Sequence, residues 1–209
     1  GWEPRLRLSV GAPSNYASFF KAIRLFTDQH PTIEIDISEH ILNGAWELLE
    51  HDEVDLVVST PGPVPVNKGY RNVSLGKNDL VLVVASNHPI AQWVDGPDRL
   101  EAELLTCRRV VAHDSTQKSI STSAGLVFDS PALYVQNAEQ KVEAQLAGIG
   151  VGHLSRTRIQ PYLDNGEMIE LSTNSALDRD DVFMAWKIAN KGRALAAMTK
   201  LLEKEMTKK

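Results

Sequence analysis

The chain holds little of what usually announces chemistry. Its single cysteine, Cys107, excludes an internal disulfide in a protein of 209 residues. It suits a reducing compartment, and with no motif tying it to a histidine it is expected to be a buried, inert thiol. Long apolar runs are also missing. The longest, Leu80 to Ala85, has six residues, against the roughly 20 that a membrane-spanning helix needs. No basic segment followed by an apolar one opens the chain, so no signal peptide is visible. Nor is there an initiator Met, and Gly1-Trp2-Glu3-Pro4 reads as a cut end. Basic charge is short: 22 Lys and Arg against 27 Asp and Glu leave a net −5. That balance offers no broad electrostatic footprint for nucleic acid. Lys200, Lys204, Lys208 and Lys209 do gather near one end, where a solvated helix terminus complementing the helix dipole explains them.

Catalytic signatures are absent as well. There is no phosphate-binding Walker loop, no G-x-S-x-G and no H-E-x-x-H. His40 and His51 end separate elements, His30 and His88 precede prolines, and His113 and His153 stand alone. Without a paired ligand spacing they are read as solvated or capping histidines, and no metal or cofactor is expected. Glu47, Glu50, Asp52, Glu53 and Asp55 crowd one stretch, read as a solvated face. Gly148, Gly150 and Gly152 follow a helix and lead into a strand. A dinucleotide loop has the reverse order, so a helix cap with close packing is expected. The chain is not expected to be an enzyme.

What is present is a globular core and a regular alternation. Hydrophobic residues make up 43% of the chain and charged ones 23%, which excludes disorder. Leu6, Leu8 and Val10 alternate with polar neighbours as in a strand. Tyr16, Phe19, Phe20, Ile23 and Phe26 recur at helical steps up to Pro31. Ile33, Ile35 and Ile37 form a second strand. Asn43 can cap a short helix, and Val54 to Val58 is a third strand. That order is the mark of a parallel sheet covered by helices. After the Pro- and Gly-rich stretch 61–69, strands are expected near 72–75, 80–85, 109–112, 126–128, 133–136, 149–154, 168–171 and 182–188. Helices are expected at 98–105, from an Asn137 cap with Gln140 in the capping-box position, from a Ser155 cap to Asn165, and at the C-terminus.

In an open α/β sheet a ligand sits outside the carboxyl ends of the strands, where helix N-termini aim free N–H groups. Three polar loops qualify: Gly11 to Tyr16, Ser59-Thr60-Pro61-Gly62, and His113-Asp114-Ser115-Thr116-Gln117. Helix capping alone could account for each of them. Together they nominate Ser14, Asn15, Thr60, Pro61, Ser115 and Thr116 as ligand-binding residues, with His113 and Asp114 beside them. None of the three loops offers an Arg for bidentate carboxylate capture. A small polar metabolite is therefore expected, with a monocarboxylate as the second choice.

An ordered series of segments resembles the C-terminal effector-binding domain of LysR-type transcriptional regulators over essentially the whole chain. Trp2 to Leu8 resembles the opening of one branch of that family. Phe26 to Pro31 is similar to the end of its first helix, and Val54-Asp55-Leu56-Val57-Val58 to its "ADLVI" strand. Leu80 to Ala91, with Ser86-Asn87-His88-Pro89, resembles its crossover. Gly148 to Leu154 followed by Gly166 to Leu171 resembles "G-x-G-I-x-x-L-P … G-x-L-V-x-L", and Phe183 to Ile188 replaces the late "LYLVWR" strand. Ser155 stands where the family usually has Pro, and 119–130 follows no family pattern.

The resemblance implies an α/β, periplasmic-binding-protein-like fold of two α/β subdomains linked by two crossover strands. Residues 1–79 with 187–209 would form the first subdomain and 80–186 the second. It implies a cytoplasmic effector domain that binds a small molecule between the subdomains. DNA would be reached only through an N-terminal winged helix-turn-helix absent from this chain, and no membrane would be involved. It also implies a homodimer in which the Tyr16 to His30 helix meets the partner's Asn137 to Gly148 helix, with Leu25, Val142 and Leu146 available for contact. A transporter's solute-binding protein would use the same fold; Cys107 and the short length speak against it.

Overall fold

The computed structural model describes residues 1–11, 15–41, 43–113, 130–173 and 181–208. In chain order the first elements are β1 (Arg5–Gly11), α1 (Tyr16–Gln29), β2 (Glu34–His40), α2 (Gly44–Glu50), β3 (Leu56–Pro61) and β4 (Tyr70–Lys77). Next come β5 (Leu80–Ala85), a 3-10 turn (Pro89–Trp93), α3 (Pro97–Leu104), β6 (Arg109–Ala112), β7 (Ala132–Val135) and α4 (Ala138–Leu146). The series ends with β8 (Gly152–Ser155), α5 (Arg156–Asp164), β9 (Met168–Glu170), β10 (Asp181–Lys187) and α6 (Arg193–Met206). The strand expected at 126–128 lies outside the described residues.

The chain divides into two compact units, passing from one to the other between Asn78 and Asp79. The sequence reading placed the first crossing after residue 79 and the return at 187. β10 instead pairs with β3 and β4, which puts 181–186 in the first unit.

Unit one is built on a five-stranded sheet in the order β2-β1-β3-β10-β4. β1 pairs parallel with β2 and β3, and β10 runs antiparallel between β3 and β4. The alternation in β1 turns Leu6, Leu8 and Val10 to one face. There they meet Phe19, Ile23 and Phe26 of α1 and Leu195, Met198 and Leu202 of α6. The opposite face, through Val57 and Ala185, packs on Ala45, Trp46 and Leu49 of α2. Each such large side chain contributes about 1.5–3 kcal/mol by leaving water. Central β3 is covered on both faces, so Leu56 to Thr60 are all buried, the apolar Leu56, Val57 and Val58 followed by Ser59 and Thr60.

Unit two places β5 between antiparallel β8 and β9. The parallel pair β6–β7 joins through the bridge between Arg109 and Val151. Leu82 and Val84 face Leu100 and Leu104 of α3, while Val81 and Val83 face Val142 of α4 and Ile159 of α5. Val142 is thus spent on its own core, which corrects its expected availability to a partner subunit.

The glycines after α4 act as expected. Gly148 ends the helix at φ +78°, and a Cβ on Gly150 would fall 2.2 Å from the Arg108 carbonyl oxygen. Two expected caps are corrected. The Asn43 side chain makes no capping bond to α2, and neither does the Ser155 side chain to α5.

Candidate functional site

Because β1, β2 and β3 run parallel, their carboxyl ends share one edge of unit one, carrying Gly11, His40 and Pro61. α1 starts close behind β1, so its first N–H groups belong to the same edge. Asn15 is its N-cap, with Oδ1 accepting from the Ser18 N–H at 3.3 Å. The Tyr16 hydroxyl donates to Glu39 at the end of β2.

Beneath this edge lies a buried polar chain. His40 Nδ1 is 2.8 Å from Ser9 Oγ, and its Nε2 is 3.1 Å from Thr60 Oγ1. None of the three residues is more than 1% exposed. Burial pushes His40 down to about 3, so the ring is neutral near pH 7. One ring nitrogen then donates and the other accepts, and a hydroxyl can answer either role. Gly11 makes the close packing possible, since a Cβ there would fall 2.0 Å from the Ser59 carbonyl oxygen. Ser59 itself holds φ +56°, a left-handed conformation that costs a non-glycine residue about 1–3 kcal/mol.

The corresponding edge of unit two is formed by the ends of β6 and β7. The His113 N–H donates to the Val135 carbonyl at 2.9 Å, and its ring stacks on Tyr134 with centroids 5.4 Å apart. Both side chains are exposed. α4 begins there, capped by Asn137 Oδ1 accepting from the Gln140 N–H at 2.9 Å. Gln140 Oε1 in turn accepts from the Gln136 N–H at 2.8 Å. This is the expected reciprocal box with its second bond moved one residue upstream.

The inner stripe of α4 is partly polar. Lys141 is 6% exposed and Gln145 fully buried. Lys141 Nζ donates to the His153 carbonyl at 2.6 Å. Gln145 Nε2 donates to the carbonyls of Val83 and Gly152 at 3.0 and 3.2 Å. Burial pushes Lys141 down to about 8 and His153 down to about 4, the latter helped by the Lys141 charge.

The nominated residues fall unevenly on these edges. Asn15, Thr60 and Pro61 belong to the unit-one edge, where Thr60 commits its hydroxyl to His40 from below instead of presenting it freely. His113 marks the unit-two edge. Ser14, Asp114, Ser115 and Thr116 lie outside the described residues. The reading of the histidines as solvated or capping holds for His88, whose Nδ1 accepts from the Ile90 N–H, and is corrected for buried His40 and His153. Cys107 is half-buried, and burial pushes its thiol up.

Sequence reasoning missed Ser9, His40, Lys141 and Gln145. His40 left a trace as the last residue of an alternating strand. Lys141 and Gln145 left one by falling on the stripe shared with Ala138 and Val142.

A family model described as the LysR substrate binding domain matches residues 2–207. Among curated proteins, the chain is 27% identical over 194 residues to an uncharacterized HTH-type transcriptional regulator, YeeY of Escherichia coli (strain K12). The match covers 93% of this chain and 62% of that protein. The chain therefore spans less than two thirds of this relative's length. Among solved structures, the regulatory domain of Synechocystis PCC6803 CcmR in complex with 2-PG is similar, with TM-score 0.73 and 18% identity. That match covers 98% of this chain and 96% of the other. The effector binding domain of QuiR in complex with shikimate matches with TM-score 0.67 and 16% identity, covering 98% and 97%.

Proposed function

The chain belongs to the LysR substrate binding domain family, and from that premise we propose that it is the effector-sensing part of a cytoplasmic transcriptional regulator. A small polar molecule taken up at the strand-end edges favours one arrangement of the protein over another, by its differential affinity for the two. A homodimer of such domains passes the change to DNA-binding domains encoded upstream. The observation that carries this reading is the family match over nearly the entire chain. The strand-end edges support it, each pairing a helix N-terminus with polar side chains.

The test is a thermal-shift screen of metabolites on the domain. A ligand at 100 times its Kd adds about 2.7 kcal/mol, a rise of roughly 5–10 °C for a domain of this size. His113→Ala at the unit-two edge should reduce that rise, as should Ser115→Ala. Equal stabilisation of parent and variants would move the site elsewhere. Sedimentation at tens of micromolar tests the dimer, and a monomer would overturn it.

A further inference from the structure

Among the described residues Lys141 is a cation without a counter-charge. It is 6% exposed, and no Asp or Glu side chain among the described residues pairs with it. Of its three N–H donors, one is spent, on the His153 carbonyl at 2.6 Å. A buried charge left in this way is among the least favourable arrangements a fold can hold. A second group beside it is also unspent: Gln145 Oε1 is buried with no hydrogen-bond partner. A Cβ on Gly152 would lie 2.7 Å from that oxygen and 3.0 Å from Lys141 Cε. The two polar groups therefore converge over Gly152, where only glycine leaves them space.

Their place in the fold gives the cluster a direction. α4 follows β7 almost at once, so its N-terminus lies at the carboxyl ends of the strands. Helical side chains lean toward their N-terminus, which carries the Lys141 ammonium back in that direction, to the His153 carbonyl in β8.

We propose that Lys141 is the anion receptor of unit two, taking a carboxylate or phosphate oxygen of the bound molecule, with Gln145 Oε1 accepting from a hydroxyl of the same molecule. The proposal rests on the reading of the chain as an effector-binding domain and names the chemical class of the effector: a hydroxylated oxyanion. This reverses the order of preference drawn from the loops alone, where no basic residue was in view. The downward shift of the ammonium to about 8 agrees with the geometry. An arriving oxyanion raises that value again by supplying the missing counter-charge to the ammonium.

The experiment follows the Lys141 side-chain NMR signal in lysine-labelled domain, assigned with Lys141→Met, during titration with glycolate, acetate and inorganic phosphate. A saturable shift is expected with at least one probe, up to about 100 mM for ligands this small. The response to glycolate against that to phosphate separates a carboxylate from a phosphoryl source, and acetate measures the share of the hydroxyl. Lys141→Met should bind the active probe at least about tenfold more weakly. Its melting temperature should be unchanged or raised, because an apolar side chain replaces an unpaired buried charge; a purely structural lysine would lose stability instead. A Lys141 signal unmoved by all three probes overturns the proposal, as does full-strength binding by Lys141→Met. A metabolite that stabilises the domain without moving Lys141 overturns it too, yet leaves the effector reading standing. If the metabolite screen fails while phosphate still titrates Lys141, the effector reading falls and the anion site stands.

Discussion

The Glu3 carboxylate caps a helix that begins nearly at the other end of the chain: its Oε2 accepts from the Ala194 N–H at 2.8 Å. Its Oε1 accepts from the Leu195 N–H at 3.3 Å. Gly192, the N-cap residue of α6, has no side chain to do this, and a Cβ there would fall 1.5 Å from Glu3 Oε1. A negative group at this position also complements the helix dipole. Glu3→Ala should therefore cost about 1–2 kcal/mol, in the range of a lost N-cap. Urea unfolding measures it, and an unchanged midpoint would show that α6 does not need the cap.

Asp79 performs the same service in unit two. Its carboxylate accepts from Ser155 Oγ at 2.8 Å, from the Thr157 N–H at 2.9 Å and from Thr157 Oγ1 at 2.7 Å. This explains how the chain manages with serine where the family usually has proline. Asp79→Ala leaves those donors without their acceptor and should cost about 1–3 kcal/mol. Ser155→Ala, which removes one donor and keeps the cap on Thr157, should cost less. Equal losses in the two variants would contradict this division of roles.

Gly11→Ala should be the most damaging of the small substitutions. The new methyl would meet a backbone oxygen of β3, which no rotamer can move. Overpacking of this kind costs about 1–3 kcal/mol even in side-chain cores. Circular dichroism melts should show a loss at the top of that range or an unfolded chain. A melt like the parent's would mean that β1 and β3 separate easily at this edge.

Acid should weaken the fold through its buried histidines. Their folded values of about 3 for His40 and about 4 for His153 lie below the ordinary 6.5. Between those limits the unfolded chain binds more protons, so stability is full above pH 6.5 and is lost as pH falls. The slope approaches about 1.4 kcal/mol per pH unit for each histidine. Urea midpoints from pH 7 to 5 should fall accordingly, and His40→Gln should flatten the decline. An identical slope in that variant would mean that His40 is not protonated on unfolding.

The order of elements was legible in the sequence because period is a local property. The alternation of Leu6, Leu8 and Val10 and the helical spacing of Phe19, Ile23 and Phe26 each report one face turned to a core. The cap of α4 was legible for the same reason, since Asn137 finds its partner three residues on, whereas the Asn15 cap of α1 was read as a ligand-binding position. Gly148 was recognisable because a left-handed helix end favours glycine. The site and the caps of α5 and α6 were not legible to the same depth, because their bonds join residues far apart in the chain. Ser9 meets His40 across 31 positions, Ser155 meets Asp79 across 76, and Glu3 meets Ala194 across 191. Nothing near His40 in the chain distinguishes a buried ring from a solvated strand end, and nothing near Lys141 shows that its side chain is buried against β8. Burial is set by which elements pack together, so the tertiary structure decided the protonation of His40 and Lys141, while the sequence by itself determined the strands and helices that carry them.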